Sequence, residues 1–206
     1  MSTMILFGFV LSVAHGSPPT LAPTRACPES VGALMLPEGI SQDALQSKHL
    51  IVVLKSARRI FRTSKGKLLH TKDGPACWPI GLGFTPEGHK QIEGDGKTPE
   101  GLYATSDKPW SQYYAAIAVH YPGPKDAIAG VSDARIRSAT RHRIQQAINA
   151  NKKPPQKTPL GGEILIHGGG AASDWTLGCV AMDDSHIDAL RATLPSDMVT
   201  EVLILP

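Results

Sequence analysis

The chain has 206 residues, 41% of them hydrophobic, which suits one folded domain with its own core. Its charged residues make up 19% and its formal net charge is only +3, too little and too evenly spread for nucleic-acid binding through electrostatics. With 20 glycines and 17 prolines it reads as turn-rich and strand-rich rather than as a helical bundle, so a partner has to be recognised by a site.

At the N-terminus, Met4 to Ala14 form an apolar run shorter than the ~20 residues a membrane span needs, and a Pro/Ser/Thr-rich tract follows it. Ser12 with Ala14, or Ala14 with Gly16, supplies the small residues of a signal-peptidase site, so residues 1–16 read as a secretory signal. No Lys or Arg precedes the run, and an uncleaved anchor or a buried N-terminal strand is the competing reading. Arg25, just before Ala26 and Cys27, argues against a lipidated cysteine. Residues 17–47 read as an arm or linker with a short helix around Ser41 to Ser47, and residues 48–206 as the folded domain. Such a signal predicts an exported chain.

Three runs, His49 to Lys55, Arg58 to Thr63 and Lys67 to Lys72, are separated by hairpin-length breaks and predict a meander. Further strands are predicted in ACWPIGLG, GLYAT, YYAAIAVHY, GEILIH and EVLILP. Between Arg135 and Ala150, the positions Ile136, Thr140, Ile144, Ala147 and Ile148 recur at helical spacing, and a last helix is predicted from Asp184 to Thr193. The tetrapeptide TPEG occurs at Thr85 to Gly88 and at Thr98 to Gly101, but its flanks do not match, so two proline-set turns explain it better than a repeat. The fold class is mainly β with a few helices, in a single domain.

The chemistry concentrates in EILIHGGGAASDWTLGCVAM, Glu163 to Met182. The run Ile164-Leu165-Ile166 predicts a buried strand that ends at His167, and Gly168 to Gly170 let the backbone approach a ligand. Gly178-Cys179 then presents a thiol. A thiolate attacks a carbonyl well only where a base takes its proton and donors stabilise the oxyanion, and imidazole and backbone amides supply both. Each residue also has a plain reading, Cys179 as a small core hydrophobe and His167 as a satisfied strand-end histidine. A metal site from His167, Cys179 and His186 lacks any CxxC or HxxxH pair, so no metal and no cofactor is expected.

More than this pair is patterned. Gly94-Asp95-Gly96-Lys97-Thr98-Pro99-Glu100-Gly101, Tyr103, Ile166-His167-Gly168 and Thr176-Leu177-Gly178-Cys179-Val180 come in an order and spacing that resembles the L,D-transpeptidase (YkuD-type) catalytic domain, over roughly His49 to Pro206. The resemblance implies a β-sandwich-like domain in which Cys179 attacks the carbonyl of the third residue of a peptidoglycan stem peptide and expels the terminal D-alanine. His167 would be the base and the Gly168 carbonyl would orient its ring. Amides around Gly178 and Cys179 would line the oxyanion hole, Trp175 and Thr176 would lie against substrate, and a carbapenem would acylate Cys179. The thioester would pass to an amine acceptor, and the substrate implies a periplasmic or wall-associated location. A hydrolase of the same fold (an L,D-carboxypeptidase or an amidase) and a non-catalytic wall-binding protein are the alternatives.

Leu177 and Ala181 stand where many members have His and Arg, and DWTLGCVAM is closer to a Trp-Thr-x-Gly-Cys branch, with a short His-to-Cys connection. His120 and Tyr121 end an apolar strand and are further candidate substrate contacts, with a plain strand terminus as the alternative. The acid-free stretch from Ala134 to Lys157, with Arg135, Arg137, Arg141, Arg143, Lys152, Lys153 and Lys157, is either a solvated helix face or a flap that attracts stem-peptide carboxylates. With 3 cysteines in an exported chain, pairing Cys27 with Cys77 is the choice that spares Cys179; the alternative is a buried Cys77 thiol and a free Cys27.

Overall fold

The structure is a computed structural model that describes residues 27–28, 31–32 and 34–206. The expected signal segment, residues 1–16, lies outside the described residues. Among the described residues, no helix is long and apolar enough to cross a membrane.

A 3₁₀ turn at Gln42–Gln46 takes the place of the first predicted helix, capped by the Ser41 hydroxyl, which accepts from the Asp43 amide. The elements that follow are β1 (Leu50–Leu54), β2 (Arg59–Ser64), β3 (Lys67–Leu68), β4 (His70–Thr71), β5 (Gly74–Pro75), β6 (Cys77–Pro79), β7 (Gly101–Asp107), β8 (Ala116–Val119), α1 (Pro124–Ser132), α2 (Ser138–Asn149), β9 (Leu165–His167), β10 (Val180–Ala181), α3 (Asp184–Arg191) and β11 (Glu201–Leu205). One mixed sheet runs β10-β9-β8-β7-β11-β1-β2-β3, with β6 also on β2, while β4 and β5 form a separate hairpin. The predicted meander holds for β1 and β2, but the third run breaks into β3 and β4.

β7 joins the two halves of the sheet. Its residues 101–104 pair with β11 and its residues 105–107 with β8. The sheet curls at that strand, and one core fills the space between the halves: Ile51, Val53, Val202 and Ile204 from one side meet Ile117, Val119, Ile166 and Val180 from the other. This is the mainly β, sandwich-like fold the sequence predicts.

β1 (LIVVL) and β11 (EVLIL) are apolar on both faces because both are covered. Their other face, Leu50, Val52, Leu203 and Leu205, packs with Phe61 under Val31, Leu34, Leu36, Ile40 and Leu45 of the N-terminal segment. A disulfide joins Cys27 to Cys77 with Cα atoms 6.0 Å apart, as the odd-cysteine argument expected, and Cys179 is the free cysteine.

Helix α1 was not anticipated, because Pro122-Gly123-Pro124 reads as a turn. Its signals were present: Pro124 opens the helix, and the Asp126 carboxylate accepts from the Gly123 amide at 2.6 Å. α2 starts at Ser138 rather than Arg135. The Arg135 and Ile136 amides instead fold back onto the Gly130 carbonyl through Ala134, at φ 57°, and so close α1.

Candidate active site

β9 carries His167, the candidate base. Its central residue, Ile166, points into the core, so Leu165 and His167 share the opposite face, where Ala116 and Ala118 of β8 lie beside them. Cys179 precedes β10 on that same face, and its Sγ accepts the Leu165 amide at 3.4 Å. Cys179 therefore sits one strand over and two residues along from His167, offsets of ~4.8 Å and ~6.6 Å in a parallel pair. Cys179, Leu165, Glu163, Tyr113, Trp110 and Leu177 are among the residues lining a cleft of about 420 Å³.

His167 is almost fully buried, and its Nδ1 lies 2.5 Å from the Gly168 carbonyl oxygen. A carbonyl only accepts, so Nδ1 carries the proton and Nε2 keeps its lone pair. Burial pushes the imidazole below its ordinary value, against the opposing pull of the Gly168 bond. Tyr113 stacks on the ring at 4.1 Å and 17°, and Trp175 meets it edge-on at 5.7 Å. Gly168 is required by close approach: a Cβ there would fall 2.5 Å from the Asp184 carboxylate and 2.9 Å from Tyr114.

The Cys179 thiol rests protonated. Burial pushes it up to about 11, only partly offset by the Leu165 amide, and it donates weakly to the Glu163 carbonyl at 3.6 Å. Its hydrogen-bond partners do not include His167. Thr176 organises the turn before it: its hydroxyl donates to the Cys179 carbonyl at 2.8 Å and accepts the Gly178 amide at 3.1 Å. The Gly178 amide, expected in the oxyanion hole, is thus engaged by Thr176. Trp175 donates from Nε1 to the Gly170 carbonyl at 3.1 Å.

The GDGKTPEG loop braces this turn from behind. Gly178 has φ 130°, and a Cβ on it would lie 2.5 Å from the Lys97 carbonyl oxygen, so the two motifs touch through bare backbone. Asp95 shapes the loop by accepting the amides of Gln91, Ile92 and Lys97. The buried Lys55 ammonium pins its other end, donating to the carbonyls of Gly88 and Thr98 and to the Glu100 carboxylate at 2.7 Å.

The remaining sequence candidates lie elsewhere. Tyr121 is fully buried in the core and donates to the Leu160 carbonyl at 3.0 Å, and His120 is buried against the Ser106 hydroxyl at 3.0 Å. Neither lines the cleft that holds Cys179. His186 stands on α3, its Nδ1 3.3 Å from the Asp183 carboxylate. From the basic stretch, Lys153 reaches this side of the sheet: it and Lys108 grip the Glu163 carboxylate at 3.2 and 2.8 Å. Arg135 instead turns to the Gln91 carbonyl and Asp133. Tyr113, Trp110, Lys108 and Glu163 escaped sequence reasoning. They lie in irregular segments with no periodicity, and only the local pairing of Glu163 with a strand start hinted at one of them.

No curated protein sequence matches the chain. Among solved structures, the helical cell shape determining protein Pgp2 of Campylobacter jejuni is similar at 22% identity and TM-score 0.49, over 76% of this chain and 46% of that one. A variant of Pgp2 gives 20% identity and TM-score 0.50, over 80% and 56%. Bd1075 of Bdellovibrio bacteriovorus gives 22% and 0.46, over 81% and 50%. The chain thus spans about half the length of these structures. The model of the YkuD family, the L,D-transpeptidase catalytic domain, matches residues 48–204, and the chain belongs to that family.

Proposed function

We propose that the protein is an exported, cysteine-dependent L,D-transpeptidase acting on peptidoglycan stem peptides in wall crosslinking or remodelling, with residues 1–16 as its signal and 48–206 as its catalytic domain. One observation carries the reading. A thiol lining a cleft shares a sheet face with a buried imidazole whose Nδ1 proton is committed to a backbone carbonyl, which leaves Nε2 as a base.

In this reading the Cys179 proton passes to His167 Nε2 and the thiolate adds to the carbonyl carbon of the third stem residue. With the Gly178 amide held by the Thr176 hydroxyl, the Cys179 amide is assigned as the oxyanion donor. Collapse breaks the C–N bond, and His167 returns the proton to the departing D-alanine amine. An acceptor amine then attacks the thioester, His167 takes the amine's proton, and the thiol is restored. Trp175 and Thr176 act by shaping the walls of the site. The resting thiol has to leave the Glu163 carbonyl for this to begin.

The test is to incubate purified protein with tetrapeptide muropeptides and identify products by mass spectrometry. Crosslinked dimers with loss of D-alanine are expected, absent with Cys179→Ala or His167→Ala. Tripeptide as the sole product would replace the amine acceptor with water and make the protein a hydrolase. Wall binding without any product would make it a binding protein.

A further inference from the structure

The mechanism above uses His167 but leaves open what holds its ring. The Nδ1 bond to Gly168 fixes one point of the imidazole, about which the plane can still pivot. The loop at residues 108–115, between β7 and β8, supplies a second restraint. It is tied down along its length: the Lys108 amide donates to the Ala116 carbonyl, the Tyr114 hydroxyl donates to Asp188 of α3 at 2.6 Å, and the Gly168 amide donates to the Tyr114 carbonyl at 2.8 Å. Between these anchors the loop lays the Tyr113 ring nearly parallel to the imidazole, and Trp175 stands edge-on to both rings, 6.3 Å from Tyr113 and 5.7 Å from His167. Tyr113 and Cys179 also pack against the same small apolar cluster, Ala116, Ala118 and Leu165, and line the same cleft. One side chain therefore stacks on the imidazole and shares its apolar support with the thiol.

We propose that Tyr113 is a positioning residue that fixes the plane of the His167 imidazole by stacking, so that Nε2 faces the Cys179 side of the cleft. The proposal rests on the acyl-transfer reading for its kinetic consequence, but the stacking itself does not. The ring, and not the hydroxyl, does the work: among the described residues the Tyr113 hydroxyl makes no hydrogen bond, and only its amide does, to Ser111. Removing the ring frees the imidazole to pivot and lets water reach it. The first effect lowers the rate of the chemical step, because misplaced catalytic groups lose rate steeply, ~10²-fold for an error on the order of 1 Å. The second relieves the burial that depresses the imidazole, so its titration moves up toward the ordinary range near ~6.5.

Tyr113→Phe and Tyr113→Leu test this, with thermal unfolding as the control for folding. Two readouts are taken: the pH dependence of kcat and KM on a tetrapeptide donor, and the NMR titration of the His167 ring. With Leu, kcat should fall ~10–100-fold with KM changed less than about threefold, while the imidazole titration and the acid limb of the profile both move up. Phe should keep most of the wild-type rate and titration. A Leu variant with wild-type kcat, or an unmoved His167 titration, overturns the proposal. So does a Phe variant that loses as much as Leu, since the hydroxyl would then be the acting group. If wild type fails to turn over the donor, the functional reading falls, and the imidazole titration alone still decides for or against Tyr113.

Discussion

The pH dependence of Cys179 alkylation in the resting protein is the sharpest consequence of the site. A thiol pushed up to about 11 is ~0.01% ionised at pH 7, against ~3% for an ordinary cysteine near ~8.5, a deficit of roughly 300-fold. A more basic thiolate is more nucleophilic, and with a Brønsted slope of ~0.4–0.5 this recovers roughly tenfold. Ionisation wins, so iodoacetamide should modify native Cys179 roughly 30-fold more slowly than free cysteine at pH 7, steric shielding aside. The rate should keep climbing about tenfold per pH unit through pH 8 to 10, where free cysteine levels off. His167→Ala should leave this profile in place, because thiol and imidazole are not hydrogen-bonded at rest, yet it should abolish turnover. The measurement is intact-protein mass against time at each pH, with the two cysteines of the disulfide as silent internal controls. A plateau with a midpoint at or below ~8.5 would refute the reasoning, since it would require a thiolate–imidazolium pair already formed in the free protein.

Three further outcomes follow from other parts of the structure. Closing the 50-residue separation between Cys27 and Cys77 contributes ~4 kcal/mol in the chain-entropy model, so Cys27→Ser should lower the urea midpoint markedly, and an unchanged midpoint refutes that role. Gly178→Ala forces a Cβ onto the Lys97 carbonyl at φ 130° and should cost ~2–4 kcal/mol along with acylation by a carbapenem, whereas Gly94→Ala, at φ 80° in open space, should cost only ~1 kcal/mol; equal losses would deny the bracing. His120 is pushed down to about 4 by burial and by Lys153, while the unfolded chain titrates near ~6.5, so between those values the unfolded state binds more protons. Stability present above ~6.5 is therefore lost as pH falls toward 4, and His120→Gln should flatten that slope in urea titrations, a slope that stays unchanged if the assignment is wrong.

Neither Cys179 nor His167 alone separates from its plain reading as a core thiol or a strand-end histidine. They were legible as a candidate nucleophile and base through the ordered motifs around them, GDGKTPEG, IHG and TLGCV, which resemble the L,D-transpeptidase domain. The strands were legible too. β1 and β11 carry apolar residues at every buried position, and GEILIH and YYAAIAVHY announce β9 and β8, though β8 stops at Val119 and leaves Tyr113, Tyr114, His120 and Tyr121 outside it. Counting thiols with Cys179 reserved left two choices, a Cys27–Cys77 bridge or two free thiols, and the structure has the bridge.

Contacts between segments distant in the chain exist only once the sheet is assembled. Tyr121 looked like a cleft residue because it follows a strand, but past the end of β8 the two-residue alternation no longer governs side-chain direction, and its ring turns into the core. Tyr113 reaches His167 because a loop is anchored to α3 and to Gly168, and Gly178 meets Lys97 because two loops stack backbone to backbone. Local sequence carries no periodicity for such contacts. They are set by where the curled sheet brings its loops, and that depends on strand pairings spread over the whole chain.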